Sequence, residues 1–314
     1  MMRPWITLLL LLGCVGEAEF QLSGPVGAEP ELPGGPKPTQ VGTFQGMSEG
    51  LPPARLGGTA QFDGALYTVA GDALYRLPAG SKAWEPVSLG GARATSVQRI
   101  DTALWVTTLD GVFRQTLADD ALVRLATVPA HALVKKGSEL LLASGMGLMA
   151  SSDRGATWSL RNAAPIFMQP VTALVASPAA VRMFAVVDSK LWHSDDAGAT
   201  WNTGLVAGEV KAIGAEAAFV LLQTSAGALR SENYGNTFHP LDVGATAQSF
   251  ATAGQRAFAG TMSGLRVSDD AGKTWREASA GLPSGTAVVQ LFLAGASLVA
   301  STGDAVYVAQ VQLE

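Results

Sequence analysis

Ser268-Asp269-Asp270-Ala271-Gly272-Lys273-Thr274-Trp275 is the stretch that decides the fold, because the chain writes it four times. Ser151 to Trp158 (SSDRGATW), Ser194 to Trp201 (SDDAGATW) and Ser231 to Phe238 (SENYGNTF) align with it without gaps. The shared pattern is Ser-x-Asp-x-Gly-x-Thr-aromatic, with Asn233 replacing the Asp in the third copy. The closing aromatics stand 43, 37 and 37 residues apart, and Trp84 lies 74 residues, two such periods, before Trp158. Self-similarity at a period near 40 marks an architecture of stacked units, none of which can bury its apolar face alone.

Upstream of each box the chain alternates apolar runs with tight turns, as in Met183–Val187 followed by Lys190–His193, and Phe219–Leu222 followed by Ala228–Arg230. The turns are Gly71-Asp72, Asp110-Gly111, Ser144-Gly145, Asp188-Ser189, Ala226-Gly227, Ser263-Gly264 and Gly303-Asp304. Short loops of this chemistry join antiparallel strands. Seven of them, in units long enough for four strands, predict an all-β chain folded as a single β-propeller with seven four-stranded blades. The last unit has only three strands before Glu314, whereas Thr43-Phe44-Gln45-Gly46 and its continuation to Pro52 parallel Thr274 to Pro283 position by position. An N-terminal strand is therefore expected to complete the last blade and close the ring, hiding edges that would otherwise be open.

The boxes resemble the Asp-box, or bacterial neuraminidase repeat, of sialidases, xyloglucan-cleaving glycoside hydrolases, sortilin-type receptors and photosystem II assembly factor-like propellers. The resemblance implies the architecture and says little about activity. Physically the box reads as a turn clamp. Its Ser (Ser151, Ser194, Ser231, Ser268), its Asp or Asn (Asp153, Asp196, Asn233, Asp270) and its Thr (Thr157, Thr200, Thr237, Thr274) offer oxygens to backbone N–H groups. Its Gly (Gly155, Gly198, Gly235, Gly272) supplies a positive φ, and its aromatic (Trp158, Trp201, Phe238, Trp275) packs into the blade. In the family the box lies on the face away from the active site. Asp153, Asp196 and Asp270 are accordingly read as structural, with calcium ligation or catalysis as the alternatives.

Composition agrees with a turn-dense β protein: 48% of the 314 residues are hydrophobic, only 15% are charged, and there are 36 Gly. A net charge of −5 argues against a general nucleic-acid binder, which needs a surplus of Lys and Arg. The single Cys excludes an internal disulfide, and no Cys/His set has zinc spacing. Residues 1–13, with Arg3 ahead of an apolar run, read as a secretory signal. Leu11-Leu12-Gly13-Cys14 resembles the lipobox of bacterial lipoproteins, which implies lipidation of Cys14 and, with Val15 following, an outer-membrane address. The alternative is an ordinary signal peptide with an incidental Cys. Residues 14–42, rich in Pro, Gly and Glu, read as an extended tether, and 43–314 as the propeller.

Candidate chemistry is sparse. Sialidases usually carry Arg-Ile-Pro early in the chain, whereas Arg99-Ile100 is followed here by Asp101, and only four Tyr exist. A xyloglucanase-like site needs two carboxylates facing each other across a cleft between two propellers, and the chain has room for one. His131, His193 and His239 fall in different units without a nucleophile partner. The turn acids Asp72, Asp110, Asp188 and Asp304 share the face opposite the boxes, where they read as turn formers or, alternatively, as a weak cation or sugar-hydroxyl site. No cofactor is expected. The loops of that face carry Arg55, Arg93 and Glu209, and the one long repeat places Ile166, Phe167 and Met168 there, as an exposed apolar patch or, alternatively, folded over the channel to finish the core. The resulting expectation is a monomeric, non-catalytic envelope lipoprotein whose propeller binds a protein partner. The alternative is a carbohydrate-binding or sialidase-like propeller.

Overall fold

The computed structural model describes residues 38–162, 171–176, 182–203, 206–216 and 219–312. Among these the chain forms twenty-nine strands and no helix. They group into seven antiparallel sheets, each consecutive in sequence except the last. The innermost strands are Leu56–Phe62, Ala94–Ile100, Ala130–Lys136, Val171–Ala176, Val210–Ala215, Ala247–Ala253 and Gln290–Ala294. All seven expected tight turns join the second and third strands of a blade.

The seventh blade closes as the repeat offset predicts. Its third strand, Val306–Gln312, pairs with two short N-terminal strands, Gln45–Gly46 (Gln45 opposite Val308) and Gln40–Val41 (Gln40 opposite Gln312). Pairing thus reaches three residues further toward the N-terminus than residue 43, the expected start of the propeller. The reason lies in Thr39, whose N–H donates to Asp269 Oδ1 at 2.9 Å while Arg276 bonds its carbonyl, fixing the chain before it enters the sheet. Phe44, 3% exposed, fills the place that Trp275 holds in the sixth blade.

The hydrophobic core is not central. Seven separate apolar clusters each lie between two adjacent blades, and the one between blades seven and one (Leu56, Trp84, Val299 and neighbours) completes the circle. This is the expected consequence of sheets buried on both faces by their neighbours.

Each box adds a polar clamp to this packing. The buried Ser194 hydroxyl donates to Asp196 Oδ1 (2.8 Å) and accepts the Gly198 N–H (2.8 Å). Asp196 Oδ1 accepts the Thr200 N–H (2.8 Å), Oδ2 accepts the Thr200 hydroxyl (2.6 Å), and Trp201 Nε1 returns to the Gly198 carbonyl. The other boxes repeat the set, except that in the third Asn233 donates its amide to Thr237 Oγ1 where Asp accepts, and Phe238 has no indole N–H to return to the Gly carbonyl. The box Gly has φ between +77° and +89°, and so, unexpectedly, does the residue before it adopt positive φ: Arg154, Ala197, Tyr234 and Ala271 lie at 54–61°. That pair of left-handed residues turns a carbonyl toward the preceding blade, where an arginine takes it: Arg114 to Arg154, Arg161 to Ala197, Arg182 to Tyr234 and Arg230 to Ala271. The box is therefore a wedge between blades as well as a clamp within one.

The clamp titrates. Hydrogen bonds from Thr157 and Ser151 hold Asp153 down to about 2, and bonds from Thr200 and Ser194 hold Asp196 down to about 2 against a small burial effect. Burial pushes Asp270 up, but bonds from Thr274, Ser268 and Lys273 outweigh it and leave the group lowered. A carboxyl with a folded pKa below its unfolded value stabilises fully above about pH 4 and loses that contribution as pH falls through about 2. Thermal midpoints should therefore fall steeply across this window. Replacing Asp153, Asp196 and Asp270 together by Asn, the residue the third box already uses, should flatten that pH dependence. An unchanged slope would assign acid sensitivity elsewhere.

Candidate binding face

The face opposite the boxes opens into a funnel at the centre of the ring, a cavity of about 660 Å³ lined mainly by the innermost strands. Its rim is built by a repeated irregularity. In six blades the innermost strand slips register at its first turn of pairing, leaving one residue out of the ladder. Five of these bulge residues, Gly57, Thr95, His131, Lys211 and Gln248, line the funnel. A bulge re-aims the side chain it displaces, so a strand otherwise committed to packing delivers a polar group to the channel mouth.

Some rim residues also lock neighbouring blades. Thr95 Oγ1 donates to the Ala130 carbonyl at 2.7 Å. Gln290 meets Leu56 twice, Oε1 accepting its N–H and Nε2 donating to its carbonyl, both at 2.8 Å, across the seam where the last blade meets the first. The exposed Arg55 and Lys211 and the half-buried His131 make the lining cationic or protonatable, and no carboxylate lines it among the described residues. Burial lowers the pKa of His131, so the two standing charges are Arg55 and Lys211.

The structure brings only Arg55, of the expected polar contacts, to the funnel wall. Arg93 and Asp110 instead hold each other: the Arg93 N–H donates to Asp110 Oδ2 at 3.0 Å, and its Nε lies 3.9 Å from the same oxygen. The Asp72 carbonyl accepts the Ala94 N–H, and the Glu209 backbone is tied to Ser225. Asp304 lies beside Ser48, Leu51 and Pro52 in a shallow recess. Among the described residues no three His, Cys, Asp or Glu side chains gather as a metal would require. Asp188, at φ 50°, serves its turn. Ile166, Phe167 and Met168, like Cys14, lie outside the described residues. His193 sits on a third strand 3.9 Å from Asp195, and burial together with Arg182 lowers its pKa.

Reasoning from sequence missed Thr95, Lys211 and Gln248. A bulge inserts one residue without changing strand composition, so periodicity carries no trace of it. A second regularity was open to detection: Thr108, Ser144, Thr224 and Thr261 each end a second strand and clamp the following turn, donating to the carbonyl of a Gly three residues on.

No known sequence family and no curated protein matches the chain. Solved structures do. The chain is similar to YCF48 from Cyanidioschyzon merolae, with 15% identity over 85% of this chain and 98% of that one, at a TM-score of 0.63. A structure of YCF48 bound to D1 peptide matches at 14% identity, covering 86% and 97%, with a TM-score of 0.66. The extracellular domain of BT4673 from B. thetaiotaomicron matches at 13% identity and a TM-score of 0.64, over 85% of this chain and 40% of that one. At such identities the likeness is one of fold. The computationally designed Ika8 protein, with a TM-score of 0.55 over 85% of this chain, shares it too.

Proposed function

We propose that the chain is a non-catalytic, lipid-anchored interaction propeller that takes a segment of a partner protein into the funnel opposite its boxes. The observation that carries the proposal is the funnel's lining: two standing cations and a ring of bulge-delivered polar groups in a protein of net charge −5, with no carboxylate among the described residues that line it. Acidic or carbonyl-rich partner segments complement such a mouth. The fold shared with YCF48, which has been seen with a bound D1 peptide, supports this mode of binding. The box repeats support kinship with Asp-box propellers.

In-cell crosslinking and pull-down test the proposal. The wild-type chain should capture a partner that Arg55→Glu combined with Lys211→Glu releases, without change in thermal midpoint. Cys14→Ala should move the chain out of the membrane fraction. Undiminished capture by the charge-reversed chain would sink the funnel as the site, and glycan turnover abolished by Asp→Asn at Asp72, Asp110 or Asp304, on the face opposite the boxes, would replace the reading with a glycosidase.

A further inference from the structure

Arg114 and Arg230 hold the same register position. Each is the fourth residue of a third strand, Gly111–Thr116 and Gly227–Ser231, and each donates to the left-handed carbonyl of the next blade's box. Arg230 is neutralised two residues on by Glu232, at 2.6 Å. The other two box-binding arginines also have acids: Glu139 lies 2.7 Å from Arg161, and Asp195 lies 2.6 Å from Arg182. Arg114 forms no ion pair among the described residues, and its Nε is buried without a hydrogen-bond partner. Arg76 shares the register in the first blade, but faces Glu85 across the sheet.

The cause is two substitutions in the repeat. Blade two has Thr116 where blade five has Glu232, and Ala103 at the start of its second strand where blade three has Glu139. Both line a cavity of about 290 Å³ on the box face between blades two and three, together with Arg114, Arg154, Lys135, Trp105 and one acid, Asp101. Asp119 acts on Arg114 by its charge but makes no ion pair with it, and the hydrogen bonds of the nearby acids go to other groups. Asp119 Oδ2 accepts the Thr116 N–H and hydroxyl, each at 2.8 Å, and both Asp101 oxygens take Lys135 Nζ at 2.7 Å. The guanidinium rests 5.8 Å from the centre of the Trp105 ring, whose face offsets part of its charge.

A partly buried guanidinium with no acid at ion-pair distance is costly, and a carboxylate is the common group that best satisfies its remaining N–H groups. We propose that the groove between blades two and three binds a carboxylate, which takes the place that Glu232 holds in blade five. Arg114 is the primary partner. Arg154 adds a second positive charge at the mouth, and the Ser138 and Thr116 side chains face the rest of the ligand. The site lies on the opposite face from the funnel and is independent of it.

Titrating the full chain with succinate, by calorimetry and by shift of thermal midpoint, tests the site. Saturable binding is expected, reduced at least about tenfold in Arg114→Gln and unchanged in Arg230→Gln. Thr116→Glu, which installs the acid found in blade five, should also remove succinate binding, yet without the loss of midpoint that Arg114→Gln brings. This second variant keeps the test valid if Arg114→Gln does not fold. An acetylated, amidated Gly-Glu-Gly peptide binding more tightly than succinate would assign the carboxylate to a partner's side chain, and weaker binding would assign it to a free acid. Either result supports the carboxylate site. Neutral succinamide or inorganic phosphate binding as well as succinate, no succinate binding, or full binding in Arg114→Gln would overturn it.

Discussion

A chain that begins after Gly46 should lose most of its thermal stability and self-associate, whereas one that begins at Pro38 should melt like the whole protein. The longer deletion strips Gln40–Val41 and Gln45–Gly46 from Val306–Gln312. It removes Phe44 from the cluster between blades six and seven, and the bonds from Gly42 N to Gln310 O and from Phe44 N to Ala280 O, both 2.8 Å. Burial of one Phe contributes about 2–3 kcal/mol, and each lost backbone bond about 1 kcal/mol. The sum is on the order of 5 kcal/mol, comparable with the whole stability of many domains. The bared third strand would then be an exposed edge ready to pair with another copy. Thermal melts and sedimentation of the two chains decide the matter. Equal midpoints and a monomeric longer deletion would show that the ring does not depend on its N-terminal closure.

The second large effect is expected at Gly235. Its φ of +77° disfavours any side chain, and a Cβ there would stand 2.6 Å from Cζ of the buried Phe184 ring in the preceding blade. Left-handed backbone costs roughly 1–2 kcal/mol and overpacking a rigid ring about 1–3 kcal/mol. Gly235→Ala should therefore destabilise by roughly 3 kcal/mol and lower the thermal midpoint by several degrees. Gly254 provides the comparison, since its φ is +62° and nothing lies within 4 Å of a Cβ. Gly254→Ala should cost only the backbone share, about 1 kcal/mol. If both substitutions cost the same, the box is a local turn and its wedging between blades contributes nothing.

The repeat made the architecture legible because a propeller is written locally. Box, turn and strand recur at fixed spacing, and the offset of the N-terminal strand follows from counting three strands after Gln290. The alignment of Thr43–Gly46 with Thr274–Glu277 even gives the pairing correctly, since Gln45 meets Val308 as Arg276 meets Val267. The clamp chemistry of Ser, Asp, Gly and Thr was legible for the same reason: its bonds span at most four residues. The candidate sites were much less so. Arg93 and Asp110 look available in the sequence, yet they bind one another across the foot of blade two.

What the sequence determined by itself is thus what the repeat pattern writes: blade number, turn positions, box clamps and the closing strand. What only the tertiary structure decided is where side chains point within a blade and what they meet in the next one. Bulges at the channel rim select Thr95, His131, Lys211 and Gln248 for the funnel, and the left-handed box carbonyls reach back to arginines of the blade before. The missing acid beside Arg114 becomes visible only when Thr116 is laid on Glu232 and Ala103 on Glu139 through the pairing register. The physical reason is that side-chain direction depends on register, and register is fixed by neighbouring strands rather than by the residues that carry the chemistry.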